Sequence, residues 1–385
     1  MALGPNWSFT PVLDINAAFR SAIVATRGFG SDPATIARHA LAQAEVFQAH
    51  GIAATVKHFP GEGHDDRDQH LVTTIIPLSV EEWEASHGAL YRAAIRAGVL
   101  SVMSAHIAFP AFVRSLDPSA GLQAFRPASL SAVLNVELLR KRLGFNGVIV
   151  SDASEMAGLT SWCRAEDSKP RIIANGCDMI LFSRAPEADM AVVAAAVVSG
   201  ELPQARVTEA LTRVLGLKAA LGLHRQSAGP VAARKAALGT DANRAAARTV
   251  TARAPTLVKD VQALLPLSPD RHRRVLIYSG GIISPLHREP MEFALPQMLE
   301  REGFQVTLHG PDTVVTREKF DLILYLFGEE TLLTRGRNFL DWAKVSGNFI
   351  AAMQRHWHDI PTAMICFGYP YYLYDAPRVP TYINA

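Results

Sequence analysis

Residues 54–70 read A-T-V-K-H-F-P-G-E-G-H-D-D-R-D-Q-H, a short apolar run that empties into a loop dense in ionisable groups. Asp68 and His70 stand two residues apart. In an extended loop both side chains fall on one side. Asp68 would then fix the tautomer of His70 and raise its basicity, leaving His70 to give and take a proton near neutral pH. Asp152 closes a second apolar run, G-V-I-V-S-D-A-S-E-M. A carboxylate there is placed to act as nucleophile or base, or equally to cap the next helix. Arg27, Lys57 and His58 are donors able to grip hydroxyls or a carbonyl; taken singly, each reads as well as an ordinary surface or core-edge residue. The rival chemistry is a metal site built from His58, His64 and His70 with Asp65 or Asp68. Its spacing matches no ligand signature and no H-x-x-x-H helix accompanies it, so the reading is of no metal and no cofactor. The plain alternative is a solvated loop between two core elements.

The elements that must position these residues alternate between strand and helix. Residues 8–15 predict an apolar strand ending in Asp14 and Asn16. The glycine-rich loop R-G-F-G-S-D follows, and Ser31 or Asp32 caps a helix that starts near Pro33 and stops at Gly51. Residues 52–56 form a buried strand that delivers Lys57 and His58. A helix over 81–98, a strand over 99–105 ending in His106, a helix over 129–143, and strands over 146–150 and 177–182 come next. Alanine-rich helices start from Met190 and Thr208. This alternation implies a parallel sheet with right-handed crossovers. Polar residues at several strand ends favour a TIM-type barrel with its site on that face; an open doubly wound sheet is the alternative. Gly61 and Gly63 allow the catalytic loop to hinge.

Residues 226–255 read as a partly helical linker. A second α/β region spans 256–385, with strands over 274–278, 305–309, 321–327 and 362–367 and helices over 291–302 and 338–357. Ser279-Gly280-Gly281 lacks the rest of a phosphate-binding fingerprint and reads as a plain turn.

Composition narrows the partners. The chain has 385 residues, 49% of them hydrophobic and 19% charged, enough for two domains with sizeable cores. The net charge is +2 with no basic run, which gives no support for nucleic-acid binding. Cys163, Cys177 and Cys366 stand far apart and suit a reducing compartment. No apolar run has membrane-spanning length, and the first residues lack the charged and apolar regions of a signal peptide. The expectation is a cytoplasmic chain acting on a small molecule, with an oligomer left open.

The segments P-V-L-D-I-N, R-G-F-G-S-D, K-H-F-P-G-E-G with D-Q-H, S-A-H, and S-D-A-S-E-M occur in an order and spacing that resemble glycoside hydrolase family 3, closest to its β-N-acetylhexosaminidase branch. The resemblance covers the chain to about Leu223. It implies a (β/α)-barrel catalytic domain over 1–225, lacking the family's first strand and its sugar-holding aspartate, then a partial flavodoxin-like α/β sandwich over 256–385 entered at T-L-V-K-D. It further implies a retaining exo-glycosidase with Asp152 as nucleophile and Asp68–His70 as the acid/base dyad. Arg27, Lys57, His58 and Met156 match sugar-contacting positions. The implied substrate is a terminal β-linked N-acetylglucosaminide; β-glucosidase, glycoside phosphorylase and inactive sugar-binding relative are the alternatives. Glu62 stands where most such hexosaminidases have histidine, and His64-Asp65 where they have Asp-Thr.

Overall fold

A computed structural model describes residues 4–225, 231–284, 287–329 and 338–385. The chain divides into two compact units, the first reaching Leu238 and the second starting at Gly239. No helix among the described residues is long and apolar enough to cross a membrane.

The first unit is built on β1 (Trp7–Ser8), β2 (Ala53–Phe59), β3 (Thr74–Ile75), β4 (Ser101–Ser104), β5 (Ile107–Ala108), β6 (Val148–Ala153) and β7 (Met179–Leu181). Five of these form one curled parallel sheet in the order β1-β2-β4-β6-β7, an incomplete barrel. The order follows the chain without reversal. A doubly wound sheet would reverse at a switch point, so the barrel reading holds over its alternative. The small β3 and β5 pair with each other beside the sheet's C-terminal ends.

Helices cover the sheet with apolar residues at helical spacing. Ile36, Ala40 and Ala44 of the helix Pro33–Ala49 pack in one core with Ala54, Val56 and Phe59 of β2, Val102 of β4 and Ile149 of β6. Asp32 accepts the Thr35 amide at 2.9 Å to start that helix, and Gly51 turns the chain out of it at φ +74°. Asp178 fixes the β6–β7 edge: it accepts the Ile149 amide at 2.9 Å and holds Arg140 at 2.5 Å and Arg206 at 2.6 Å.

The second unit contains β8 (Thr256–Asp260), β9 (Arg274–Ile283), β10 (Gln305–Leu308), β11 (Leu322–Glu329), β12 (Thr362–Gly368) and β13 (Thr381–Asn384), ordered β10-β9-β11-β12-β13-β8. The first five are mutually parallel and follow the 2-1-3-4-5 order of flavodoxin-like sheets; β8 closes the edge antiparallel to β13.

Several expected elements differ. The strand over 8–15 is a strand only at Trp7–Ser8, with a single bridge further on between Val12 and Lys57. Pro11 has no N–H to give to the ladder. The helix over 81–98 is two helices, Val80–Ala85 and His87–Arg96, broken at Ser86, whose hydroxyl bonds back to the Glu82 carbonyl. The helix over 338–357 shrinks to the turns Trp342–Ser346 and Ala351–Met353, divided by Gly347 in the left-handed region. The helix over 291–302 is only Leu295–Arg301, with Pro296 in its first turn. Ser279-Gly280-Gly281 is no turn but an irregular stretch of β9, where the register with β11 shifts. Strand β13 was not foreseen. Of the 226–255 linker, residues 226–230 lie outside the described set, and Val231–Ala236 and Asp241–Arg253 are helical.

His87 is fully buried, and neither of its ring nitrogens has a hydrogen-bond partner among the described residues. Burial holds its pKa down to about 3. The unfolded imidazole takes a proton below about pH 6.5 while the folded one stays neutral, so this group costs stability as pH falls. Between pH 7 and pH 5 the loss is about 2 kcal/mol, from about 1.4 kcal/mol per pH unit. Urea titrations of wild type and His87→Leu should therefore diverge by that amount across this range, with the wild type weakening more. Parallel curves would contradict the assignment.

Candidate active site

Strand β2 ends in Lys57 and His58, and the buried carboxylate of Asp14 organises what lies there. Asp14 Oδ1 accepts the backbone N–H groups of His58 and Glu62, each at 3.0 Å. Its Oδ2 lies 2.6 Å from His58 Nδ1. On the far side of the ring, Arg27 Nη2 lies 3.3 Å from His58 Nε2. A guanidinium only donates, so Nε2 accepts and the imidazole proton sits on Nδ1, given to Asp14. Burial pushes the Asp14 carboxyl up, but His58 and these hydrogen bonds outweigh it and hold the group below its ordinary value. Burial likewise keeps the His58 pKa down, so this histidine is a neutral fixed dipole. Lys57 is lowered by burial and by Arg27, and Asp152 acts against that shift.

The D-Q-H loop brings its dyad together, though not in extended form. Residues 69–70 are in a turn. Asp68 Oδ1 accepts both the His70 amide at 2.8 Å and His70 Nδ1 at 2.6 Å, an Asx-type closure. Asp68 is completely buried while the His70 side chain is 22% exposed. The carboxylate thus holds the ring proton on Nδ1 and leaves Nε2 as the nitrogen not bonded to Asp68. The intervening Gln69 is buried too. It donates from Nε2 to Glu62 Oε2 at 3.0 Å and accepts the His106 amide on Oε1 at 3.0 Å.

Gly61 and Gly63 do not serve as free hinges. Their φ values are +132° and +109°, and a Cβ would lie 2.4 Å from His87 Nδ1 at the first and 2.0 Å from the Ile15 carbonyl oxygen at the second. Close packing requires glycine at both positions.

Asp152 is the penultimate residue of β6 and is buried, with Oδ1 accepting the Ala153 amide at 2.8 Å. Burial raises its pKa, but His58, His106, the Ala153 amide and Lys57 together bring it below the ordinary carboxylate value. A carboxylate that stays ionised at a strand end is a competent nucleophile. Met156 is buried one turn later, where its amide bonds the Ala153 carbonyl. Among the described residues, Arg27 Nη1 is buried without a hydrogen-bond partner.

Asp14, His58 and Glu62 also place one ligand atom each within 4.8 Å of one another. This trio shares only His58 with the set foreseen from spacing. The hydrogen bond between Asp14 Oδ2 and His58 Nδ1 already uses those two atoms, and the Arg27 and Lys57 cations lie beside them. The donor set fits proton sharing better than a cation. Glu62 agrees: burial first, and the Asp14 charge second, raise its pKa well above the usual carboxylate range.

Sequence reasoning passed over Asp14, Glu62, Gln69 and His106 as working parts. Asp14 and His106 each end a polar-capped apolar segment, the signal already used for Asp152. Glu62 stood out only as one ionisable group of the loop and as a departure from the family pattern, and Gln69 only as the residue between Asp68 and His70.

The model of the glycosyl hydrolase family 3 N terminal domain matches residues 1–217. A β-N-acetylglucosaminidase/β-glucosidase of Cellulomonas fimi is 42% identical over 399 residues, covering all of this chain and 70% of the relative. β-Hexosaminidase A of Pseudoalteromonas piscicida is 30% identical over 277 residues, covering 69% of this chain and 46% of the relative. Among solved structures, the β-glucoside phosphorylase BglX superposes with a TM-score of 0.89 at 32% identity, covering all of this chain and 70% of that one. A family 3 β-N-acetylglucosaminidase from Paenibacillus shares the fold, with a TM-score of 0.76 at 24% identity over 99% of this chain and 71% of that one. The chain belongs to glycosyl hydrolase family 3, on the side of the family where its β-N-acetylhexosaminidases lie.

Proposed function

We propose that the chain is a retaining exo-glycosidase that removes terminal β-linked N-acetylglucosamine. The observation that carries this reading is the Asp68–His70 pair, a buried carboxylate 2.6 Å from Nδ1 of a partly exposed imidazole, in a protein whose Asp152 carboxylate ends a barrel strand. Retention needs a carboxylate on one face of the anomeric carbon and a proton shuttle at the leaving oxygen. In the first step an Asp152 oxygen bonds to the anomeric carbon as the glycosidic C–O bond breaks, and His70 Nε2–H passes its proton to the departing oxygen. In the second step water attacks the same carbon, His70 Nε2 takes the water proton, and the bond to Asp152 breaks. Asp68 keeps the proton on Nδ1 and stabilises the imidazolium that gives its Nε2 proton in the first step and re-forms in the second; between the two steps the ring is neutral. Arg27, Lys57, His58 and Met156 hold the sugar, with the unpartnered Arg27 Nη1 facing a hydroxyl or acetamido oxygen.

The similarity to the β-glucoside phosphorylase favours a second reading, in which phosphate replaces water as the acceptor. A neutral imidazole repels an arriving anion less than a carboxylate base would. Glucoside substrates are a further variant, since the Cellulomonas fimi relative carries both activities in its name.

Purified chain should hydrolyse p-nitrophenyl β-N-acetylglucosaminide faster than the glucoside. Asp152→Asn should lose on the order of a thousandfold or more in kcat/KM, the scale on which removal of a covalent nucleophile is felt. Equal rates for the variant and the wild type would refute the assignment. Turnover that rises with phosphate and yields a sugar 1-phosphate would replace hydrolysis by phosphorolysis. Separately, His70→Ala should slow release of a poorly activated leaving group by about a hundredfold to ten-thousandfold, while a 2,4-dinitrophenyl leaving group, which departs without a proton, loses far less in the glycosylation step. Uniform losses would remove His70 from the acid role.

A further inference from the structure

The side chain between the two members of the dyad does not point into solvent. Gln69 is completely buried, and its amide joins two different parts of the barrel: Nε2 to Glu62 Oε2 at 3.0 Å, and Oε1 to the His106 amide at 3.0 Å. Glu62 is anchored in turn, because its own amide bonds Asp14 Oδ1 at 3.0 Å. His106 carries the connection onward. Its Nδ1 lies 2.8 Å from Ser129 Oγ, and its Nε2 lies 2.8 Å from the Ala153 carbonyl oxygen. A carbonyl only accepts, so Nε2 carries the proton and Nδ1 accepts from the serine. The peptide units around Ala153 are therefore held twice, with its carbonyl on His106 and its amide on the Asp152 carboxylate.

A second set of contacts closes the same gap. The Ala157 amide bonds the His70 carbonyl at 2.9 Å. Thr73 Oγ1 bonds the Gly158 carbonyl at 2.7 Å, and Trp162 Nε1 bonds Thr73 Oγ1 at 2.8 Å. A Cβ at Gly158 would lie 2.5 Å from the Gln69 carbonyl oxygen and 2.9 Å from His106 Cβ. The dyad loop and the segment after the nucleophile thus touch with no room for a methyl group.

We infer that Glu62 and Gln69 are positioning residues that fix the Asp68–His70 dyad at a set distance from the Asp152 strand, through the Gln69–His106–Ala153 bridge. The inference rests on the retaining mechanism proposed above. A retaining enzyme tolerates little error in the spacing between its nucleophile and its proton shuttle, and a displacement of about 1 Å costs up to about a hundredfold in rate. Neither Glu62 nor Gln69 is assigned contact with the sugar; both act through His70. Glu62 needs to present only an acceptor oxygen. Its raised pKa suits that neutral role, because an ionised carboxylate would face Asp14 and Asp68 in the same buried region.

The test compares kcat/KM for two N-acetylglucosaminides, one with a methylumbelliferyl or poorer leaving group and one with a 2,4-dinitrophenyl group. The variants are Gln69→Leu, Glu62→Leu and Glu62→Gln, with His70→Ala as reference and thermal unfolding of each as the control for folding. Gln69→Leu and Glu62→Leu should move the ratio between the two substrates in the direction of His70→Ala by at least about tenfold, and the double variant should move it little further, because one bridge is cut twice. Glu62→Gln keeps an acceptor oxygen and should stay within about threefold of the wild-type ratio. A ratio unchanged in Gln69→Leu, or equal losses on both substrates, would overturn the positioning role while leaving the glycosidase reading standing. Turnover that survives Asp152→Asn, or a ratio unmoved by His70→Ala, would instead overturn the underlying mechanism and this inference with it.

Discussion

The buried carboxylate of Asp14 is the point on which the site depends. It receives three hydrogen bonds, from His58 Nδ1 and from the amides of His58 and Glu62, and so ties the segment before the glycine-rich loop to the end of β2. Removing it would leave a buried imidazole proton and two buried amides without acceptors, each costing about 1–3 kcal/mol. Its effect reaches further than those three bonds. By fixing the His58 tautomer it turns Nε2 toward Arg27, and by fixing the Glu62 backbone it sets the acceptor on which Gln69 rests. Arg27, the Asp68–His70 pair and the Asp152 strand are thereby tied to one buried charge.

The charges divide into two kinds. Asp14 and Asp152 are stabilised as anions despite burial, because amides, imidazoles and Lys57 surround them. Glu62, His58, His87 and His106 are kept neutral by the same burial. That division is the pattern expected where titratable groups have separate roles. It leaves His70 as the partly exposed member of the Asp68–His70 pair.

Much of this was legible in the chain itself. Apolar runs ending in Lys57-His58, His106 and Asp152 reported parallel strands with polar residues at their C-terminal ends, and β2, β4 and β6 fall where those runs lie. The cap at Asp32 and the stop at Gly51 were local signals, and local signals survive folding. Long-range effects were hidden. Pro11 shortens the first strand because of a neighbour's ladder. Gly61 and Gly63 look like hinges in the sequence but are fixed by His87 and the Ile15 carbonyl, which the sequence places far away or out of view. Strand β13 is short and gains its identity from pairing with β12 and β8. Gln69 shows no chemistry by its type alone; its role comes from two partners, one 7 and one 37 residues distant.

The proposed retaining mechanism requires that Asp152 become covalently bonded to the sugar. The most direct measurement is mass spectrometry of the protein after incubation with a fluorinated N-acetylglucosaminyl fluoride, which forms the glycosyl-enzyme faster than it releases it. The account predicts a mass increase of one fluorosugar, located in the peptide that contains Asp152 and lost on reactivation with an acceptor. Turnover of ordinary substrate with no such adduct, or an adduct on another residue, would contradict it.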